Sequence, residues 1–536
     1  MNIGEFLTLL APELILLIGA TVVLLLGLMR SAGGNSLVSG VSLGVVVLAA
    51  IVAVRLGVPD GTAAALGLWL TPLVYFTRCV TLGIGALIVL VNWHQPAARE
   101  RGEYMAMILL SLLGVLITAS ANDLLVLLFA IELVSVPTYV LVALSREDRR
   151  ASEASVKYFF LGALSAAILA YGISFLYGVA GTTTIHALNG AQAISAMPSG
   201  DALDGLALIG LLLVIAALAF KIAAVPCHAY IPDVYEGAAS PITGMLGFVP
   251  KMAGFVALLK IFTACNWDLP TEVLWVLWFL SAASMTAGNV LALLQKNVKR
   301  MLAYSSIAHT GYMMIALLVG PVAGRGPLHD GLAALLFYVT VYGVMNLGAF
   351  ALLTAFRDRD RPVETLDDIA GLAVQAPRAS FGLAVCVFSL MGLPPTAGFL
   401  AKVYVFSSAF SVPRPHPFHG PLIALAIIGV ANAAIGAAYY LRIAASAYAG
   451  SADRPRIPAG GTPVRLGLAL CAVLMLVFFA WPAGIVRQAH LASAQLEDTF
   501  KGHSRRLATP ADESHLPHSK GPGRSAVPVS HNAVDD

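Results

Sequence analysis

Fourteen runs of mostly apolar residues follow one another along this 536-residue chain, near 8–29, 36–57, 68–92, 103–120, 122–145, 156–180, 205–228, 241–263, 271–294, 300–320, 331–356, 378–410, 419–448 and 464–486. About twenty such residues in a helix cross the hydrocarbon core of a bilayer, so the repetition predicts an all-α polytopic membrane protein with about 14 transmembrane helices. Composition agrees: 58% of residues are hydrophobic and 11% charged, with a mean hydropathy of +0.83, which a soluble domain of this length cannot keep in solution. The first run is preceded by the single charge Glu5 and no Lys or Arg, so it lacks the basic leader of a cleaved signal peptide and is expected to stay as a helix.

Basic residues in the connections set the expected orientation. With the N-terminus outside, the inner connections hold sixteen Lys and Arg residues, from Arg30 to Arg465, and the outer ones hold four: Arg55, Lys260, Arg325 and Arg414. Both termini are therefore expected outside. A transmembrane domain is expected over residues 1–488, and 489–536, rich in Ser, His, Pro and Gly, reads as a polar, disordered tail.

Four charged side chains interrupt the apolar runs: Glu132 in LLVLLFAIELVSVP, Lys221 in LLLVIAALAFKIAAVP, Lys251 in GMLGFVPKMAGFVALL and Lys402 in GLPPTAGFLAKVYVF. Each costs about 2.5 to 3.5 kcal/mol near the centre of a span, roughly 10 kcal/mol together, and function is the expected compensation. Prolines lie beside them. Pro226 and Pro232 follow Lys221, Pro394 and Pro395 precede Lys402, and Pro250 adjoins Lys251. Proline removes a backbone donor and clashes with the preceding turn, so breaks are predicted near Pro226 and Pro394, with a loosened turn at Pro250. Discontinuous helices of this kind mark ion sites in transporters.

Burial in low dielectric disfavours the charged form of an amine, and a neighbouring carboxylate restores it. A Glu132–Lys221 pair that opens and closes would thus switch proton release from Lys221 toward Lys251, with His, Ser, Tyr and water carrying the proton on to Lys402. A structural ion pair is the alternative for Glu132. Snorkelling is the alternative for the lysines, more for Lys157, near the start of its span, than for Lys221, Lys251 and Lys402, which have apolar residues on both sides. His228 and His309 stand open between satisfied core histidines and relay groups. Cys79, Cys227, Cys265, Cys386 and Cys471 show no paired spacing, so no metal or iron–sulfur site is implied. Gly83-Ile-Gly85 lacks the third glycine and the βαβ setting of a dinucleotide loop. No cofactor is expected on the chain.

The runs KIAAVPCHAYIPDVYEGAASPITGMLGFVPKMAGF, AYSSIAHTGYMMIAL and SLMGLPPTAGFLAKVYVF resemble the antiporter-like membrane subunits of bacterial proton-pumping NADH:quinone oxidoreductase, respiratory complex I. The resemblance covers the chain to about 488, which makes the expected membrane domain an antiporter-like one. It implies fourteen helices with two inverted five-helix repeats, each holding a broken helix, and proton-path residues at Glu132, Lys221, Lys251 and Lys402, with His228 and Lys157 on shorter matches. It also implies FMN and iron–sulfur clusters in partner subunits, other membrane-arm subunits as partners, protons as cargo, and a bacterial cell membrane location. Within the family, Lys402 disfavours the M type, which has a glutamate there, and the short polar end disfavours the L type with its long lateral helix. The N type is left.

The alternative is a subunit of a multisubunit sodium/proton antiporter, which would use the same buried groups. A structural scaffold is a second rival, which predicts that Lys221→Ala and Lys251→Ala spare pumping, and a metabolite carrier fits less well because no span clusters polar groups for a larger solute. One difficulty stands: Lys221 precedes its break and Lys402 follows its own.

Overall fold

The computed structural model describes residues 3–28, 34–58, 63–65, 67–95, 100–145, 148–186, 205–265, 267–321, 328–358, 361–414, 416–450 and 455–494. Among these residues, twelve helices are long and apolar enough to cross a membrane. They are Ala11–Leu28, Gly34–Leu56, Pro72–Val91, Arg101–Ser120, Leu124–Leu144 and Arg149–Ala180 (spans 1 to 6). The rest are span 8, formed by Ser240–Leu246 and Val249–Ala264, then Thr271–Leu293, Val298–Val319 and Gly331–Ala355 (spans 9 to 11), His419–Ala449 (span 13) and Gly461–Ala480 (span 14). Two further spans are assembled from shorter pieces. Span 7 joins Gly205–Lys221 (7a) to Ile231–Gly237 (7b), and span 12 joins Pro377–Met391 (12a) to Ala397–Phe410 (12b).

Span starts are fixed by side chains that satisfy the first free backbone N–H groups, which find no water inside a bilayer. Asp123 accepts from the amides of Leu125 and Val126, Asp148 from Ala151, Asn297 from Lys299 and Arg300, and Asp330 from Leu332 and Ala333. Spans 8 and 11 are buried along their whole apolar length, whereas spans 1, 2 and 14 bury only about a third of theirs. The core of the molecule therefore runs along spans 8 and 11, and the lipid-facing helices surround it.

Spans 4–8 and 9–13 form two successive groups of five, and the broken helix is the fourth member of each. An offset of five spans is odd, so the second group crosses the membrane in the opposite sense. The breaks fall where the prolines predict, at 222–230 and 392–396, and the turn ahead of Lys251 opens at Gly247 and Phe248.

Some expected features change. Lys260, counted with the connections, is 4% exposed inside span 8. A helix at 483–494 runs through the boundary expected at 488. It docks on the start of span 11, with the ring of His490 3.1 Å from one Asp330 oxygen and Ser493 donating to the other at 2.8 Å. Residues 495–536, and with them most of the expected tail, lie outside the described residues, as do Arg30, Arg99, Arg146, Arg325, Arg359 and Arg454.

Candidate functional site

Lys221 is the last residue of 7a, where the carbonyl groups of an ending helix have no partner in the helix and carry its negative dipole end. Its ammonium donates to Glu132 at 2.9 Å and to Ser135 at 2.8 Å, both on span 5 and three residues apart, so they share one face. The Lys221 side chain is 5% exposed and that of Glu132 23%, which places the carboxylate at the edge of the packed interior. Gly254 of span 8 makes this packing possible, because a Cβ there would lie 2.6 Å from Ile222 and 3.4 Å from the Lys221 Cβ.

Backbone groups freed by the break are taken up individually. Tyr230 donates its hydroxyl to the Phe220 carbonyl at 2.9 Å, the Val225 amide donates to Ser284 at 2.9 Å, and Thr310 donates to the Ile222 carbonyl at 2.7 Å. Phe220, Tyr230 and Tyr158 stack in sequence along this side, with centroids 4.3 Å and 5.3 Å apart. Unsatisfied groups in hydrocarbon cost several kcal/mol each, so these contacts are what allows the helix to open at depth.

Thr310 also links the break to the next lysine. The Lys251 ammonium donates to the Thr310 hydroxyl at 2.8 Å and to the carbonyl of Ser306, and it sits 5.0 Å from the ring centre of Tyr342. Between Ser306 and Thr310 on span 10 stands His309, fully enclosed. Its Nδ1 lies 2.8 Å from the Tyr338 hydroxyl and its Nε2 2.9 Å from that of Tyr440, which in turn bonds Ser305.

One helical turn on, Tyr312 presents its ring to Lys402, 5.2 Å from the ammonium. Asn289 donates to the Tyr312 hydroxyl at 3.0 Å and accepts from Tyr439 at 3.0 Å. Lys402 completes the row by donating back to the carbonyls of Leu390, at 3.2 Å, and Met391, at 2.7 Å, the last turn of 12a. Span 10 therefore contributes Ser306, His309, Thr310 and Tyr312 to one line that runs from Lys251 to Lys402.

The structure brings together Glu132, Lys221, Lys251, His309 and Lys402. It places the other two expected residues elsewhere. His228 lies in the break of span 7 with its ring 3.2 Å from the Pro226 carbonyl, and none of its described contacts reaches a lysine. Lys157 is half-exposed and pairs with Glu153 at 2.7 Å and Asp233 at 2.9 Å. Asp233 also meets Arg300 at 3.0 Å, and Arg300 meets Glu236 at 2.8 Å, so 7b is tied by charge to spans 6 and 10. Fully buried Lys299 holds the end of 7b through the carbonyls of Glu236 and Ala238 and pairs with Glu364 at 3.1 Å.

Sequence reasoning assigns Lys299 and Arg300 to the charge asymmetry alone, although the acidic Asp233 and Glu236 beside the first break are a signal that basic partners are needed. It also passes over Glu13 and Arg78, each inside an apolar run. They form a bidentate pair at 2.7 and 2.8 Å between spans 1 and 3, with side chains 7% and 3% exposed, so the buried charges number more than four. Among the described residues no group of His, Cys, Asp and Glu is arranged to hold a metal ion.

A family model described as NADH:quinone oxidoreductase/Mrp antiporter, TM, matches residues 121–418, which include Glu132, Lys221, Lys251, His309 and Lys402. The chain is 37% identical over 506 residues to NADH-quinone oxidoreductase subunit N of Methylobacterium nodulans, covering 90% of this chain and 97% of the relative. Among solved structures it is similar to a chain of respiratory complex I from Thermus thermophilus with bound aureothin, at 28% identity and a TM-score of 0.72, covering 89% and 98% of the two chains. A chain of the Mrp complex from Dietzia sp. shares the fold, with a TM-score of 0.75 at 21% identity over 91% of this chain and 98% of that one.

Proposed function

The chain belongs to the NADH:quinone oxidoreductase/Mrp antiporter membrane family, and from that membership we propose that it is a proton-translocating membrane-arm subunit of an NADH:quinone oxidoreductase. Other subunits, carrying FMN and iron–sulfur clusters, perform the electron transfer from NADH to quinone, and this chain converts the released energy into proton movement. It has no redox site of its own. The inner connections hold most of the basic residues, which supports placing both termini outside.

The observation that carries this reading is the contact Lys221 shares with Glu132 at the mouth of the break, beside Ile222, whose carbonyl the Thr310 hydroxyl joins to Lys251. While the pair is closed, the Lys221 charge is matched. When a neighbouring subunit draws Glu132 away, the ammonium is left without its counter-charge in an apolar interior, where a lone charge is strongly disfavoured. Its proton then leaves toward Lys251, which is in its neutral amine form. The side chains of span 10 pass it to a neutral Lys402, which releases it on one side of the membrane, and closing the pair lets Lys221 take up a replacement proton from the other side.

The same buried groups would serve a sodium/proton antiporter subunit, and the family model spans both. The curated relatives, at 34 to 40% identity, favour the oxidoreductase. Purification of the chain from its native membrane tests the choice. Copurification with flavin- and iron–sulfur-containing subunits, and NADH-driven proton uptake that is independent of sodium, supports the proposal. Isolation with other membrane subunits alone, and sodium-dependent exchange, refutes it.

A further inference from the structure

A groove of about 470 Å³ opens between spans 3, 11 and 14 beneath the helix at 483–494, away from the lysine line. Its volume lies in the range of sites that hold small ligands, about 300 to 1,000 Å³. Along span 3 its lining runs from Tyr75 to Leu87, about 18 Å at 1.5 Å per residue, and along span 14 from Leu470 to Phe478, about 12 Å. Half the hydrocarbon thickness of a bilayer is about 15 Å, so the groove spans one leaflet.

Its chemistry is graded. The Thr340 hydroxyl at mid-depth already donates to the Leu336 carbonyl at 2.8 Å, which leaves the deep end apolar. Tyr75 and Gln488 bring a phenol and an amide to the end beside the helix at 483–494, where Arg487 is exposed. Trp481, 77% exposed at the end of span 14, marks that level as the membrane interface. An apolar slot one leaflet deep, with hydrogen-bonding groups at its rim and an exposed arginine on the helix above it, next in sequence to the lining residue Gln488, matches an acyl chain joined to an anionic headgroup. We propose that this groove binds a phospholipid of the leaflet on the side of the chain termini, one acyl chain in the slot and the phosphate facing Arg487.

Gly83 provides a direct test, because a Cβ there meets no atom within 4 Å and the residue lines the slot. Gly83→Leu fills the slot with its own side chain while improving helix propensity. Gly44→Leu in span 2, also facing open space, is the control. The detergent-washed complex is analysed by quantitative lipid mass spectrometry. The expected result is one phospholipid retained by the native complex and by Gly44→Leu and lost from Gly83→Leu, with about fivefold weaker retention of anionic phospholipid in Arg487→Ala. Equal phospholipid content in Gly83→Leu and the native complex overturns the proposal. So does a Gly83→Leu complex that loses a neighbouring subunit, or a quinone, with its phospholipid unchanged.

Discussion

The ammonium of Lys402 donates to the carbonyl of Met391 at 2.7 Å, reaching back across the break of its own span. Met391 ends 12a, just as Lys221 ends 7a. Both lysines therefore meet the C-terminal end of the first half of a broken helix, although one precedes its break in sequence and the other follows it. Lys221 does so from the final turn and Lys402 by folding back from the second half. The order of residue and break differs between the repeats, and so does the partner, a carboxylate for Lys221 and backbone carbonyls for Lys402.

Gly392 makes that return possible. Its φ of +85° suits glycine, and a Cβ would lie 2.8 Å from the Lys402 Cδ. Gly392→Ala is expected to lower stability by about 1 to 2 kcal/mol, the penalty of a left-handed conformation. It also displaces Lys402 from its carbonyls, so protons moved per NADH fall by more than the loss of folded complex explains. Thermal unfolding and vesicle acidification on one preparation separate the two effects.

Thr310 accepts from Lys251 and donates to the Ile222 carbonyl, so Thr310→Val preserves shape and removes both bonds. One buried carbonyl left unsatisfied costs about 1 to 3 kcal/mol. The variant should assemble, oxidise NADH and pump at a reduced proton-to-electron ratio, whereas Thr310→Ser retains both bonds and most of the pumping.

Tyr440 links His309 Nε2 to Ser305. Tyr440→Phe interrupts this link without changing ring packing. If His309 carries protons, pumping slows and its pH dependence shifts relative to the native enzyme. If His309 serves packing alone, both stay as they are, and pH profiles of proton uptake distinguish these outcomes.

The Glu13–Arg78 pair predicts a different pattern. Removing one partner of a buried pair costs about 3 to 5 kcal/mol, and replacing both with apolar residues is often close to neutral. Arg78→Met should reduce the amount of assembled complex, Glu13→Leu with Arg78→Met should restore much of it, and the protons moved per NADH should be unchanged in whatever assembles. Immunoblots of membranes alongside pumping assays check both parts.

Much of the architecture is legible in the order of residues alone. Run length and spacing give fourteen spans, because in a bilayer few residues other than apolar ones can fill a lipid-facing helix. The prolines beside Lys221 and Lys402 give the breaks, since a missing amide and a ring clash are local effects. What a linear reading misses is partnership between distant segments. Lys157 and Lys251 both read as lysines in apolar runs, yet Lys157 ends in a half-exposed cluster with Asp233 and Glu153, and Lys251 is enclosed by span 10. Glu13 and Arg78 are separated by 65 residues and become a pair only when spans 1 and 3 pack. Lys260 reads as part of a connection because it falls near the end of its run, and the helix continues past it to Ala264.

The most direct measurement is the number of protons translocated per NADH oxidised in sealed vesicles carrying Glu132→Gln. Neutralising the carboxylate keeps the shape of span 5 and removes the counter-charge that Lys221 meets at 2.9 Å. The expected result is an assembled enzyme whose electron transfer persists and whose protons per NADH fall below the native value. An unchanged ratio at normal assembly would contradict the role given to the Glu132–Lys221 pair.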